Sequence, residues 1–153
     1  ANFSFDDPAY FDREYHNWQA YGESKTANVL FTVALDKRLR ERGVRAYAVH
    51  PGVILTNLGR HLQQADFEWL QAQTPPGQEV VFKSVEQGAA TTVWTATSAE
   101  LEGKGGIYLE DCQIARPAVP GGEGGVESYA LDAAAAERLW ALSEELAEQS
   151  LAI

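Results

Sequence analysis

Tyr21 and Lys25 stand four positions apart in the run Tyr21-Gly22-Glu23-Ser24-Lys25. On a helix that spacing projects both side chains from one face. A phenol ordinarily titrates at about 10, too high for a base at neutral pH. An ammonium a few ångströms away favours the phenolate and brings the group toward neutrality. Such a pair can exchange a proton with an alcohol or carbonyl oxygen. Lys25 is a donor only, so it can also hold the hydroxyls of a bound ligand. The pair alone is weak evidence, because a surface tyrosine packed over a lysine stem has the same spacing.

The elements around the pair decide whether it is placed to work. Ala27, Leu30, Phe31, Ala34, Leu35 and Leu39 recur at helical spacing. Asp36 with Arg40 and Lys37 with Glu41 pair on the other side, and Gly43 stands where a helix C-terminal glycine belongs. A helix is therefore expected over about 20–42. Val44–Val49, closed by Pro51-Gly52, reads as a strand over about 44–49. A loop follows over about 52–82, with short helices expected near 55–64 and 66–72 and a break at Thr74-Pro75-Pro76-Gly77. Ser84-Val85-Glu86-Gln87 is a capping box that opens a helix over about 84–98. A second strand is expected over about 106–110, a flexible Pro/Gly-rich stretch over 115–128, and an amphipathic helix over about 131–151. Residues 1–19 read as a loop with a short helix at 8–15. The helix–strand succession suggests a parallel sheet. Two strands alone leave unpaired edges and little cover, so the sheet needs something to pair with.

The same residues carry a resemblance. Asp6-Asp7-Pro8, Trp18, and Ala20-Tyr21-Gly22-Glu23-Ser24-Lys25-Thr26-Ala27-Asn28 followed by Leu30-Phe31 resemble the active-site helix of short-chain dehydrogenases/reductases. The nearest branch is the one typified by retinol dehydrogenases and the WW-domain oxidoreductase. Val49-His50-Pro51-Gly52-Val53-Ile54-Leu55-Thr56-Asn57-Leu58 resembles that family's Pro-Gly loop. Glu86-Gln87-Gly88-Ala89, Gly106-Ile107-Tyr108 with Cys112, and Leu139-Trp140 with Ser143-Glu144 follow in order. The resemblance runs through almost the whole chain. It implies an α/β fold, the C-terminal half of a doubly wound Rossmann-like parallel sheet ordered helix–strand–loop–helix–strand–helix. The chain is then a single partial domain over 1–153, with the N-terminal dinucleotide-binding half absent.

By that resemblance Tyr21 is the general acid/base, and Lys25 positions the nicotinamide ribose and lowers the tyrosine pKa. Pro51, Gly52 and Val53 line the nicotinamide side of the cleft, and Thr56 hydrogen-bonds the cofactor. Gly52 would let the backbone approach a ligand closely. Tyr21, Lys25, Pro51, Gly52, Val53 and Thr56 are thus the expected cofactor-binding set, for NADP or NAD with NADP favoured. The stretch 57–82 would be the substrate loop, where Leu58, Leu62, Phe67, Trp69 and Leu70 suit a small apolar alcohol or carbonyl substrate. Core packing beneath the loop would explain the same residues.

Some family parts are missing from the sequence. No Gly-x-Gly-x-x-Gly stands at a strand–helix junction. Gly121-Gly122-Glu123-Gly124-Gly125 sits in a Pro/Gly loop and reads as linker. The serine that precedes the active-site tyrosine has no counterpart; Ser24 lies on the Tyr21 helix and points elsewhere, and Ser4 lies in a variable loop. His16, His50 and His61 lack metal-ligand spacing, and Cys112 alone builds neither a zinc site nor an internal disulfide, so no metal is expected. His50 at a strand end reads as structural. A net charge of −10 with scattered acids argues against nucleic-acid binding. No apolar run is long enough to span a bilayer and no signal peptide is visible, so a cytoplasmic location is expected.

Two readings compete. One is an NAD(P)-dependent oxidoreductase that interconverts an alcohol and a ketone or aldehyde. The other is a non-catalytic truncated fragment or interaction module, whose open sheet edge takes a partner or a second copy of itself. A nucleotide-sugar epimerase shares the Tyr-x-x-x-Lys spacing, but the Pro51-Gly52 loop and short C-terminal part argue against it.

Overall fold

The structure is a computed structural model, and it describes residues 1–54, 56–57, 60, 62–73, 81–120, 122 and 124–148. Helix α1 spans Asn17–Leu39 and continues as a short 3-10 turn over Arg40–Arg42. It begins three residues before the expected onset because His16 caps it, accepting from the Gln19 amide at 3.4 Å. Gly43 adopts the left-handed conformation (φ 74°) that terminates it, and Lys37 and Arg38 in the last turn suit the negative end of the helix dipole.

Strand β1 covers Tyr47–His50, starting later than the sequence suggests. The difference has a physical cause. Arg45 turns its guanidinium to Asp36 of α1, and the Ala46 amide donates to the same carboxylate at 3.0 Å. Arg45 is therefore a clasp between helix and strand, and the Ala46 carbonyl accepts from the Gly106 amide at 2.8 Å at the entry to the ladder. Helix α2 covers Gln64–Gln73, α3 Val85–Thr97, β2 Ile107–Glu110, β3 Gln113–Ile114 and α4 Ala133–Leu146. Ser84 and Gln87 form the expected reciprocal capping box on α3.

Strands β1 and β2 pair in parallel, with Tyr47 opposite Ile107 and His50 opposite Glu110. Strand β3 runs antiparallel to β2, so the sheet is mixed and ordered β1-β2-β3, not wholly parallel. This third strand corrects the two-strand expectation. It is two residues long, and its turn is Asp111-Cys112, both at positive φ (47° and 54°). Hairpin turns with two positive-φ residues are usually announced by Asn-Gly or Asp-Gly, which this chain does not use here.

The 115–128 stretch is likewise more than a linker. Pro117 bridges Val126, the Ala118 amide donates to the Val126 carbonyl at 2.9 Å, and the Gly125 amide donates to Glu110 at 2.7 Å. Val126 and Ala130 are buried against Val29 of α1. A 3-10 turn over Ser128–Leu131 follows, and Asp132 caps α4 through the Ala135 amide, so α4 begins two residues later than expected. Residues 149–151 of the expected helix lie outside the described residues, as do Thr74-Pro75-Pro76-Gly77, His61, Leu58, Gly121 and Glu123 and part of the expected 55–64 helix. Residues 8–15 form turns, not the short helix expected: the Asp7 carboxylate accepts from the Phe11 and Asp12 amides instead.

Three layers result. Tyr47 and Val49 face α3, whereas Ala48 and Tyr108 pack with Val29 of α1. Helix α4 packs against α1, where Leu30, Ala34, Ala136, Leu139 and Trp140 form the core. Leu30 and Leu109 are wholly buried. Among the described residues β1 pairs only with β2, and its other edge is open.

Candidate active site

The first turns of α1 carry Tyr21 and Lys25 on one exposed face. Lys25 Nζ stands 5.2 Å from the centre of the Tyr21 ring, and the phenol side chain is half exposed. Ser24 Oγ donates to the Tyr21 carbonyl at 2.7 Å, so it is turned back onto the helix backbone and away from that face.

The residue between them faces inward. Glu23 is 4% exposed and receives both guanidinium nitrogens of Arg13, at 2.7 and 2.5 Å, with Gln19 Nε2 at 3.0 Å. Arg13 is itself placed by the Asp7 carbonyl and lies over the Tyr10 ring at 3.6 Å. The N-terminal segment is further tied down where Thr26 Oγ1 donates to the Ala1 carbonyl. This buried pair, which the sequence reading did not single out, ties the N-terminal segment to the start of α1. Arg13 above all holds the Glu23 carboxyl down to about 2, from an ordinary 4.5. A folded-state pKa below the unfolded one stabilises above the unfolded value and is lost as pH falls through the folded one. Acid unfolding is therefore expected to draw on Glu23 between about pH 4.5 and 2. The Glu23→Gln variant should lose that part of the acid limb and be less stable at neutral pH by about 2–3 kcal/mol. Denaturant titrations at stepped pH measure both; an unchanged acid limb refutes the assignment.

Tyr108 of β2 lies near the pair. Burial pushes its phenol up to about 12, with Glu110 and Tyr21 adding in the same direction. The His50 ring stacks on Tyr108 at 6.3 Å at the C-terminal end of β1, where Pro51 begins the loop. The carboxyl ends of parallel strands are where ligands bind in open α/β sheets.

Pro51 and Val53 are exposed, as is Thr56. Gly52 has φ 88°, and a Cβ there would fall 2.5 Å from Lys83 Cδ. The space beside Gly52 is thus taken by the chain's own lysine, which gives a second reason for glycine besides approach to a ligand. The Lys83 amide donates to the Val53 carbonyl at 2.8 Å, and its ammonium pairs with Asp111 in the β2–β3 turn. Ile54 fills the space a side chain on Gly88 of α3 would need, 2.1 Å from the missing Cβ. The function of Gly88 in its Glu86-Gln87-Gly88-Ala89 run is then to admit Ile54 and so to seat the loop. Lys83 and Asp111 are exposed enough to look like ordinary surface charges in sequence, and nothing in their spacing announces the pair.

Helix α2 approaches the same end of α1. Trp18 stacks on Trp69 at 4.7 Å with the rings 4° from parallel, and Tyr21 meets Trp18 edge-on at 6.0 Å. Asp66 accepts from Trp18 Nε1 at 3.0 Å. Of the substrate-loop residues expected from sequence, Trp69 reaches the Tyr21 region through this stack; Phe67 is exposed and Leu62 and Leu70 are half-buried. No group of three or more His, Cys, Asp or Glu suited to a metal occurs among the described residues.

A helix bearing a Tyr–Lys pair, followed by a parallel strand and a Pro-Gly loop, is part of an α/β fold of the Rossmann-like kind. Comparison with known proteins agrees. The family model for short chain dehydrogenase matches residues 12–66. A "probable oxidoreductase" of Streptomyces lividans is 44% identical over 143 residues, 90% of this chain and 48% of the relative. Mouse "retinol dehydrogenase 12" is 42% identical over 127 residues, 83% of this chain and 35% of that protein. A crystal structure of an uncharacterized protein from Mycobacterium paratuberculosis matches 99% of this chain and 47% of its own, with TM-score 0.63 and 29% identity. The chain belongs to the short-chain dehydrogenase/reductase family. It spans about half the length of the curated relatives it matches. Among the described residues no helix is long and apolar enough to cross a membrane.

Proposed function

We propose that this chain supplies the proton-transfer half of an NAD(P)-dependent interconversion of an alcohol with a ketone or aldehyde. The observation that carries the reading is the exposed Tyr21–Lys25 pair, with the ammonium 5.2 Å from the phenol ring, at the C-terminal edge of a parallel pair of strands. The dinucleotide, when bound, accepts or donates the hydride. Tyr21 gives a proton to the nascent alkoxide in reduction and takes it back in oxidation. Lys25 stabilises the charge that develops on the Tyr21 oxygen and donates to ribose hydroxyls. Pro51, Gly52, Val53 and Thr56 border the nicotinamide end, and the Lys83 and Gly88 contacts fix their position. The residues present suit that end of the dinucleotide; the sequence contains no glycine-rich turn for the pyrophosphate.

Titrating the chain with NADPH and NADH tests the reading. Binding should be detectable for at least one of them, and Lys25→Met should weaken it about tenfold by removing a charge-assisted donor. Equal affinity in Lys25→Met removes Lys25 from the site.

The open edge of β1 favours a second reading, in which the chain acts as an interaction module. Beside that edge lies an open groove of about 790 Å³ between β1 and α3, lined by Val49, Thr92, Thr95, Ala96 and Leu101. A dimer or hetero-complex that buries Tyr47–His50 without binding either dinucleotide would establish it.

A further inference from the structure

We propose that Asp66 is a positioning residue: together with the Trp18–Trp69 stack it latches α2 to the first turn of the catalytic helix and so sets the width of the cleft beside Tyr21. The proposal takes Tyr21 as the reacting group, and to that extent it rests on the proposed function.

The contacts converge on one carboxylate. Asp66 Oδ1 accepts from Trp18 Nε1 at 3.0 Å and from Asn17 Nδ2 at 3.3 Å, both on the first turn of α1. Asp66 Oδ2 accepts from the Gln63 amide at 2.8 Å, which ties the same carboxylate to the start of α2. One side chain therefore organises the N-terminus of α2 and fastens it to a helix 48 positions earlier. The indole stack runs parallel to this link, at 4.7 Å. Trp18 has its other neighbour in Tyr21, edge-on at 6.0 Å. A displacement of α2 that breaks the stack withdraws the ring that backs Trp18, the neighbour of the phenol.

The chemistry follows from the surfaces. Two stacked indoles beside Tyr21 present apolar, planar surface, and Trp69 remains 37% exposed. An alcohol or carbonyl compound with a flat apolar body gains contact along that wall while its oxygen reaches Tyr21. A short aliphatic alcohol gains little. Loss of the latch should therefore penalise flat substrates and leave short ones nearly unaffected, a selectivity effect that general loosening of the fold would not give.

Two variants separate the contributions. Asp66→Leu keeps the approximate volume and removes every acceptor. Trp18→Phe keeps an aromatic face and removes the indole donor, so it guards against a simple folding failure. Hydrogen exchange on the free chain should show the α2 amides opening about tenfold faster in both, the worth of one hydrogen bond to a carboxylate, while the α3 and α4 amides keep their wild-type rates. The Trp18 indole proton, protected in the wild type, should exchange freely in Asp66→Leu. Binding of benzyl alcohol, followed by NMR shifts of Trp18, Trp69 and Tyr21, should weaken about tenfold in Asp66→Leu, with 2-propanol changed less than about twofold. Unchanged α2 exchange overturns the latch. Faster α2 exchange with unaltered benzyl alcohol binding overturns its positioning role. Retained turnover in Tyr21→Phe would instead count against the acid/base assignment and leaves indole protection as it was, so the two ideas fail separately.

Discussion

Replacing Tyr21 with phenylalanine is expected to remove turnover while leaving dinucleotide affinity within about twofold. The ring and its edge contact with Trp18 survive the change, and Lys25 keeps its place. Only the hydroxyl proposed to exchange the proton is lost. Positioned acid–base groups contribute about 100- to 10,000-fold, so kcat should fall by that order. The assay belongs on a protein in which this chain is joined to a dinucleotide-binding half, with an alcohol as substrate and reduced cofactor read by absorbance. Activity within a few-fold of the wild type would mean that another group moves the proton. The comparison with Lys25→Met is informative because that variant should lose cofactor affinity as well as rate. If both variants lost only affinity, the pair would be a binding element and not a proton-transfer one.

The second large effect concerns the clasp between α1 and β1. Asp36 is buried and receives Arg45 at 2.9 and 2.8 Å and the Ala46 amide at 3.0 Å; Arg45 holds its carboxyl below the usual range. Gly105, just before β2, lies so close that a Cβ there would be 1.9 Å from Asp36 Oδ1 and 2.7 Å from two Arg45 nitrogens. The Gly105→Ala substitution must push apart a carboxylate already fixed from three sides. Overpacking and disruption of a buried pair together should cost about 3 kcal/mol. For a chain of this size that lowers Tm by roughly 6–12 °C. Gly103→Ala is the control: it has φ 73° but nothing within 4 Å of the added carbon, so it should lose only the backbone strain, about 1 kcal/mol. Thermal unfolding of the two variants side by side decides the matter, and equal losses would show that the clasp contributes little.

Periodic and local features were the legible ones. The long helix was readable because Leu30, Ala34 and their neighbours repeat at helical spacing and Gly43 stops it. The capping box at Ser84 and Gln87 was readable because both partners are three residues apart. The Tyr21–Lys25 pair was visible for the same reason. What escaped depends on contacts between distant residues. Nothing in the sequence marks Glu23 as buried; Arg13, ten positions earlier, folds onto it. Asp66 carried no signal, since a carboxylate at the start of a helix is common. Lys83 and Asp111 are 28 positions apart and meet only because the loop and the turn do. Strand β3 was too short to show alternation. The Pro/Gly-rich composition of 115–128 concealed a segment that buries Val126, because composition does not report on what a single valine meets.

Helix α1 buries its apolar face against α4, and the partners are far apart in the chain: Arg38 and Glu137, which pair across that contact, are separated by 99 positions. On a ribosome that distance becomes time. Synthesis adds about 5–20 residues per second, so the Leu30–Ala34 face waits roughly 5–20 s before its cover emerges. During that interval α1 has its Tyr21–Lys25 turn made and its greasy side bare. Chaperone dependence of this chain should accordingly rise when translation slows between codons 40 and 133, and ease when α4 is supplied in trans.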